Sequence, residues 1–248
     1  MCYNDHMKIE GMQKLTLLDF PGRVAATVFT PGCDMRCPFC HNAELVVGGP
    51  GGESDPYMGQ GALGEGPVFE LLEKRRGVLT GLAITGGEPL MQADIADFIR
   101  RVKDMGYAVK LDTNGSFPAR LKQLVGGGLV DYVAVDVKNC REKYAETAGL
   151  SGEAAERMLP MVYESIEYLM EGHVDFEFRT TVVKEFHEDD DFRRIGEWLR
   201  GDEKFFLQSF SDSGSTITPG LHKHEKADME RFAAIMREFV PNTELRGI

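Results

Sequence analysis

The segment "GLAITGGEPLMQADIADFIRRVKDMGYAVKLDT" (residues 81–113) decides the fold class, because it holds one complete strand–helix–strand unit. "GLAIT" (81–85) is a short apolar run typical of a buried strand, and "AVKLDT" (108–113) is strand-like as well. Between them, "ADIADFIRRVKDMG" (93–106) has apolar residues at helical spacing and ends in glycine. This order predicts two parallel strands joined by a right-handed crossover through a helix.

The same alternation continues on both sides of this unit. About six strand–helix units predict an α/β fold, a partial (β/α)6 TIM-like barrel of parallel strands, with a doubly wound open sheet as the competing arrangement. Pro160 marks a break or a second start within one helix. The further predicted strands are 24–30, 130–137, 174–183 and 204–210, and the further predicted helices are 68–76, 117–128, 153–171, 189–200 and 226–239.

Length and composition limit the architecture and the class of protein. A chain of 248 residues fits a single domain over 1–248, with an N-terminal extension (1–18) and a glycine-rich flexible loop (48–66). The net charge of -12 argues against a general nucleic-acid surface, since phosphate contacts need clustered Lys and Arg. No apolar run could span a membrane, and the first 14 residues hold no secretory signal. We therefore expect a cytoplasmic protein with reduced thiols.

Polar and glycine-containing motifs follow or end each of the six predicted strands. Barrel-like α/β proteins build their sites from the carboxyl ends of their strands, so we expect the functional site at that end of the sheet. In chain order the motifs are "TPGC", "TGGEP", "DTNG", "DVKN", "RTT" and "QSF".

The stretch "TPGCDMRCPFCHN" (30–42) carries three cysteines in a C-x3-C-x2-C array. A haem attachment site or a thioredoxin-like pair would leave Cys33 unused. A zinc site lacks a well-spaced fourth ligand, because His41 adjoins the last cysteine and neither Cys2 nor Cys140 has a partner cysteine nearby. An iron–sulfur cluster with one iron left open would use three soft thiolates. The residues alone leave these alternatives open.

Three cysteines at this spacing, with Phe39 before the last one, resemble the signature of the radical S-adenosylmethionine (SAM) superfamily. "GGEP" (86–89) is similar to its glycine-rich SAM-binding motif. "LDTNG" (111–115), "DVK" (136–138) and Arg179 are similar to the downstream motifs of glycyl-radical enzyme activases. The resemblance extends from about Asp19 to Gln208, which is most of the chain.

Within these activases, "KLTLLDFPGRVAATVFTPGCDMRCPFCHN" (14–42) most resembles the anaerobic ribonucleoside-triphosphate reductase activating proteins. Pyruvate formate-lyase activases typically have "DGPG" where this chain has "DFPG" (19–22). They also carry a histidine near the sixth predicted strand, where this chain offers Gln208 and Ser211. The resemblance thus favours the reductase activases.

The resemblance implies a mechanism and its partners. The three cysteines would bind three irons of a [4Fe-4S] cluster, and the amino and carboxylate groups of SAM would chelate the fourth. The reduced cluster would cleave SAM to a 5′-deoxyadenosyl radical, which would take a hydrogen atom from one glycine of a glycyl-radical enzyme. The reductant would be a low-potential donor such as flavodoxin or ferredoxin. The alternatives are a deazapurine synthase-like enzyme acting on a small molecule or RNA-precursor base, a pyruvate formate-lyase activase, and a non-enzymatic zinc module.

The same resemblance supplies roles for individual residues. Gly86 and Gly87 would let the backbone approach the methionyl amine, and Glu88 would orient that loop or accept from the amine. Asp112 and Asp136 would face the SAM carboxylate through a cation, either a monovalent ion or Lys138. The expected ligands of the cluster are Cys33, Cys37 and Cys40; the expected cofactor-binding residues are Phe39, His41, Gly86, Gly87, Glu88, Asp112, Asn114, Asp136, Val137, Lys138, Asn139, Arg179 and Gln208.

Two of those residues have more specific expected neighbours. Phe39 and His41 would lie against the adenine of SAM. A buried Arg179 would need an anion, which the SAM carboxylate or Asp136 would supply.

Overall fold

The computed structural model describes residues 7–46, 63–212, 214 and 216–248. Cys2 and residues 48–62 of the predicted glycine-rich loop lie outside the described residues. The strands are β1 (Gly11–Thr16), β2 (Ala25–Thr30), β3 (Gly81–Gly86), β4 (Ala108–Thr113), β5 (Tyr132–Asp136), β6 (Asp175–Val182), β7 (Phe205–Ser209) and β8 (Thr243–Arg246). The α-helices are α1 (Ala43–Val46), α2 (Gly66–Lys74), α3 (Ile95–Asp104), α4 (Pro118–Gly126), α5 (Tyr144–Thr147), α6 (Gly152–Met170), α7 (Asp189–Trp198) and α8 (Lys226–Arg237).

All eight strands form one sheet in which each strand lies beside its neighbours in sequence. The strands from β2 to β8 are parallel, and β1 pairs antiparallel with β2. A doubly wound sheet would reverse its strand order, which this sheet does not do. The partial TIM-like barrel is therefore confirmed, with the six predicted strands as β2–β7. The edge strands β1 and β8 were not predicted, and β1 falls within the expected N-terminal extension.

The two faces of the sheet differ sharply in chemistry because side chains alternate along each strand. On the outer face, Val28, Ile84, Leu111 and Val133 are aligned by the strand register and fully buried in the hydrophobic core, together with Phe98 of α3. Right-handed crossovers put the helices on this face. On the inner face, the same register aligns charged residues, namely Lys110, Asp112, Asp136, Glu177 and Arg179. The fold thus forms a core on one side and a charged interior on the other.

Helix α6 is continuous from Gly152 to Met170 with Pro160 inside it, so the predicted break is wrong. Pro160 lies on the exposed face, where water can bind the carbonyl that loses its helical partner. Met158, Val162 and Ile166 hold the opposite face in the core. None of the helices in the described part of the chain is long and apolar enough to cross a membrane.

Candidate active site

A cavity of about 770 Å³, including its open mouth, lies at the carboxyl ends of β3 to β6 and beneath the cysteine-bearing loop. This is the end of the sheet at which the sequence predicts the site. The predicted cofactor-binding residues that line it are Phe39, His41, Gly86, Gly87, Asp112, Asn114, Asp136, Lys138 and Arg179, and all three predicted cluster ligands line it with them.

The cysteines follow β2 on a loop that is fixed by backbone hydrogen bonds. The amide of Gly32 donates to the carbonyl of Leu45 (2.8 Å), and the amide of Arg36 donates to the carbonyl of Ala148 (3.1 Å). The Cys37 thiol lies 3.7 Å from that same Ala148 carbonyl. The loop therefore presents its thiols to the cavity through contacts that do not involve a ligand.

The three thiols are free, and burial raises the pKa of each of them, that of Cys33 to about 12. A thiol of this kind stays protonated at neutral pH until a metal ion displaces its proton. Among the described residues, no three His, Cys, Asp or Glu side chains converge to hold a single ion. Thiols spaced around one cavity instead suit a cluster whose irons each take a separate thiolate.

The two glycines of the GGEP loop are required by close packing of backbone on backbone. A Cβ added to Gly87 would lie 1.9 Å from the Gly32 carbonyl oxygen, and one on Gly86 would lie 2.3 Å from the Thr30 amide nitrogen. Gly86 also has φ +121°, which disfavours any other residue. Both glycines line the cavity, but the space their missing side chains leave is filled by the end of β2 and the cysteine loop. This packing explains why both positions are glycine, and close approach of the loop to the methionyl amine remains a prediction.

Glu88 is fully buried and does not line the cavity. Its carboxylate accepts hydrogen bonds from the Leu90 amide (2.9 Å), the Thr113 hydroxyl (2.8 Å) and the Asn114 amide (2.7 Å). Burial raises the pKa of Glu88 to about 7, although these three bonds oppose the shift. Of its two predicted roles, this geometry fits orientation of the loop, which it ties to the end of β4.

Arg179 is the centre of the charged interior. Its guanidinium donates to Asp136 Oδ1 through Nε and to Asp112 Oδ2 through Nη2 (3.1 Å). Lys138 Nζ donates to Asp136 Oδ2 (3.0 Å), and Lys110 Nζ donates to Asp112 Oδ1. Burial by itself raises the pKa of both aspartates, but Arg179 and the neighbouring lysines outweigh it and hold each pKa below its ordinary value. The aspartates are therefore ionised and neutralised by the chain's own cations.

The remaining lining residues connect the cysteine loop to its surroundings. Asn114 donates to the Asp34 carboxylate (2.8 Å) and lies 3.7 Å from the Cys33 sulfur. The buried Phe39 ring packs 6.0 Å from the ring of Phe186. The exposed His41 ring lies 5.4 Å from that of Phe210, and desolvation by the surrounding protein lowers the pKa of His41.

Three further predicted residues do not line the cavity. Val137 is fully buried in the core, where its carbonyl accepts from the Thr180 hydroxyl (2.6 Å). Asn139 is also fully buried, and its amide donates to the Phe186 carbonyl (3.0 Å). Gln208 is paired with Thr181 on the inner face of β7 but stops short of the cavity wall. Val137 and Asn139 follow β5, and Gln208 lies near the end of β7, so all three occupy positions where the sequence predicts site residues.

Several residues of the site were missed by the sequence analysis. A charged residue at every second strand position, as in "KLD" and "EFR", is the signal that could have identified the inner-face pairs. Thr85, Thr113 and Thr181 gave no such signal, because threonine is common in strands. The missed residues are Lys110 and Glu177 inside the barrel and, at the cavity, Met35, Asn42, Val46, Thr85, Thr113 and Thr181.

The protein is a partial parallel barrel with three thiols above the charged ends of its strands. This arrangement is typical of barrel enzymes that hold a thiolate-bound cofactor. More particularly, the model of the Radical SAM superfamily matches residues 27–199, and the chain belongs to that superfamily. It is an enzyme, and its family implies a [4Fe-4S] cluster and SAM. The residues fit this pair of cofactors, since the free thiols and the charged groups face one cavity.

Individual relatives match almost the whole chain. The "Putative glycyl-radical enzyme activating enzyme MJ1227" of Methanocaldococcus jannaschii is 27% identical, covering 97% of this chain and 96% of its own. Pyruvate formate-lyase 1-activating enzyme of Escherichia coli K12 is also 27% identical, covering 94% and 96% respectively. Streptococcus suis SuiB bound to S-adenosylmethionine has the same fold, with TM-score 0.63 and 14% identity over 87% of this chain and 48% of that one.

Proposed function

We propose that this chain is a glycyl-radical enzyme activase, and that its partner is anaerobic ribonucleoside-triphosphate reductase. The observation that carries the activase proposal is the match over nearly the full length of two relatives that are named as activating enzymes. Each match covers at least 94% of this chain and 96% of the relative. The choice of reductase rests on the "DFPG" motif and on Gln208 at a strand where the lyase activases carry histidine.

The cavity residues have distinct roles in this proposal. Cys33, Cys37 and Cys40 would hold the cluster. Arg179 and Lys138 are the cations beside which the SAM carboxylate would lie. When bound, the reduced cluster and SAM would supply one-electron cleavage of a carbon–sulfur bond for removal of the glycine α-hydrogen, with 5′-deoxyadenosine and a glycyl radical as the expected products.

The chain's own contribution is to fix positions before that chemistry starts. The Glu88 carboxylate joins the loop after β3 to the end of β4, and Asn114 joins the end of β4 to the cysteine loop. The groups that would bind the two cofactors are therefore linked through hydrogen bonds. Such linkage restricts the donor position, on which hydrogen-atom transfer depends strongly. Phe39 and His41 supply ring faces on the cavity wall for the adenine.

The proposal also includes a flavodoxin or ferredoxin as electron donor, a cytoplasmic location, a single domain over 1–248, and a monovalent cation near Asp112 and Asp136. The monovalent cation is the least needed of these, because Arg179 and two lysines already neutralise the carboxylates of Asp112 and Asp136.

Pyruvate formate-lyase is the second candidate partner, favoured by the named activase of Escherichia coli among the relatives. The experiment adds SAM and a reductant to the anaerobically reconstituted protein, with either the reductase or the lyase, and records EPR spectra. We expect a doublet with the reductase, split by the one remaining α-hydrogen, and one 5′-deoxyadenosine per radical. The Cys40→Ala variant is the negative control.

Each alternative has its own outcome in that experiment. A doublet with the lyase alone would replace the proposed partner and keep the activase. Deoxyadenosine formed with a small molecule or an RNA precursor, and no doublet with either protein, would replace the activase by a deazapurine synthase-like enzyme.

A further inference from the structure

His187 is a fully enclosed histidine behind the cavity wall that no sequence motif indicated. It lies in the loop between β6 and α7 and is 2% exposed. Its Nδ1 accepts the Val183 amide proton (3.1 Å), so its Nε2 carries the ring proton and donates to the Lys138 carbonyl (2.9 Å). Burial lowers the pKa of His187, which keeps the ring neutral in this tautomer. Both ring nitrogens are thus used, one on each of two loops.

The carbonyl that His187 holds belongs to a residue of the cavity. Lys138 lines the cavity, and its ammonium binds Asp136, which in turn binds Arg179. Lys138 follows β5 as part of the connection to α5, so its backbone is not fixed by the strand ladder. A hydrogen bond to the Lys138 carbonyl therefore restricts the position of the backbone from which the long lysine side chain extends.

The histidine is itself held from the other side. The carbonyl of His187 accepts from the ring of His224 (3.0 Å), and the ring of His187 stacks on Phe192 at 5.8 Å. One residue before it, the Phe186 carbonyl accepts from Asn139, the residue after Lys138. The loop after β6 and the loop after β5 are therefore bonded at two successive residues. This makes the His187 ring a rigid support rather than a mobile side chain.

We infer that His187 is a positioning residue for SAM binding: it sets the backbone of Lys138 and hence the direction in which the ammonium enters the cavity. His187 touches no cavity space of the candidate site itself, so it acts through Lys138. The inference rests on the cavity being the SAM site and is independent of which partner enzyme is activated.

Four substitutions together separate this role from general stability. His187→Gln keeps an amide donor at the position of Nε2, where it can reach the Lys138 carbonyl. His187→Asn places its amide at the position of Nδ1, where it serves Val183 but falls short of Lys138. Thr243→Val is the matched control, because it removes another buried bond from side chain to backbone, the one to the Val240 carbonyl (2.7 Å), on β8. Lys138→Ala tests the residue through which His187 acts.

The measurements use the reconstituted cluster-bound protein: iron content, SAM affinity by equilibrium binding, and the change in the reduced-cluster EPR signal on SAM addition. We expect His187→Asn to weaken SAM binding about 10-fold at unchanged iron content, as supporting hydrogen bonds at bound groups often do. His187→Gln and Thr243→Val should bind SAM as the unmodified protein does. The double variant of His187→Asn with Lys138→Ala should bind no worse than Lys138→Ala alone.

Three results would overturn the inference. His187→Asn could bind SAM normally while Lys138→Ala does not, which would show that the carbonyl contact has no effect. Thr243→Val could weaken binding equally, which would assign the effect to stability. If the Lys138→Ala variant bound SAM normally, Lys138 would not be part of the SAM site. The proposed activase function would be unaffected, and an EPR doublet on the partner enzyme would still be expected.

Discussion

Arg246 on β8 binds both carboxylate oxygens of Glu177 on β6, at 3.1 and 3.0 Å, across the intervening strand β7. Glu177 is 1% exposed, and its other neighbours are the Tyr132 hydroxyl (3.2 Å) and, at 3.9 Å, the guanidinium of Arg179. The pair neutralises a carboxylate that is buried inside the barrel. It thereby leaves Arg179 to bind Asp112 and Asp136.

Replacing Arg246 by Met should lower the free energy of unfolding by about 2 kcal/mol, because it leaves a buried carboxylate with weaker partners. We expect less than the loss typical of a fully buried pair, since the Arg246 side chain is 35% exposed. Urea unfolding measures the change. The double variant with Glu177→Gln should recover part of it, and an Arg246→Met protein as stable as the original would contradict the assignment.

Replacing Cys33, Cys37 or Cys40 by Ala should abolish iron binding, because each thiol lines the cavity and no fourth thiol among the described residues does. Cys140→Ala is the matched control, since that thiol is buried beside Asp191 at 3.5 Å and away from the cavity. Iron and sulfide analysis after anaerobic reconstitution should give about four irons per chain for the control. Loss of iron from the control would disprove the three-ligand site.

Replacing Gly87 by Val should lower both iron content and SAM binding. A Cβ there would overlap the Gly32 carbonyl, one residue before the first cluster ligand, so the cysteine loop must move. Gly126→Ala in α4 is the control, because a Cβ at that position meets no atom within 4 Å. Full iron content together with an unchanged EPR response to SAM would show that the loops do not pack as described.

Replacing Glu88 by Gln should change how stability depends on pH. Burial raises the pKa of Glu88 from 4.5 to about 7, so the folded protein binds this proton more tightly than the unfolded chain. By linkage, the Glu88 contribution to stability is lost as the pH rises from about 4.5 to 7. The Glu88→Gln variant has no titrating group at this position, so its stability should not fall in this way.

Urea unfolding at several pH values gives the comparison. With Gln Oε1 still accepting from Leu90 and Thr113, its NH2 group replaces Oε2 and cannot accept from the Asn114 amide. The variant should therefore be less stable by about 1–3 kcal/mol at the acid end, and this difference in stability should narrow as the pH rises. If the difference in free energy of unfolding between the two proteins instead widened as the pH rises, a raised pKa of Glu88 would be excluded. Asp202, whose pKa is also raised to about 7 by burial, is present in both proteins and cancels in the difference.

The sequence by itself determined the parallel α/β class, the end of the sheet at which the site lies, and the three cysteines. These features depend on local spacing: alternating apolar segments set strands and helices, and a short loop keeps close cysteines together whatever surrounds it. It missed β1 and β8, because "GMQKLT" and "TELR" are edge strands with mixed polarity. It also predicted a break at Pro160, which packing of the opposite helix face overrides.

Only the tertiary structure decided which charged groups meet and which residues face the cavity. Glu88 bonds to residues 25 and 26 positions away, and Arg246 to one 69 positions away. Such pairings follow from the register of neighbouring strands, where a shift of one residue turns a side chain to the opposite face. In the connection after β5, Lys138 lines the cavity, whereas hydrogen bonds to Thr180 and Phe186 hold Val137 and Asn139 beside it inside the protein.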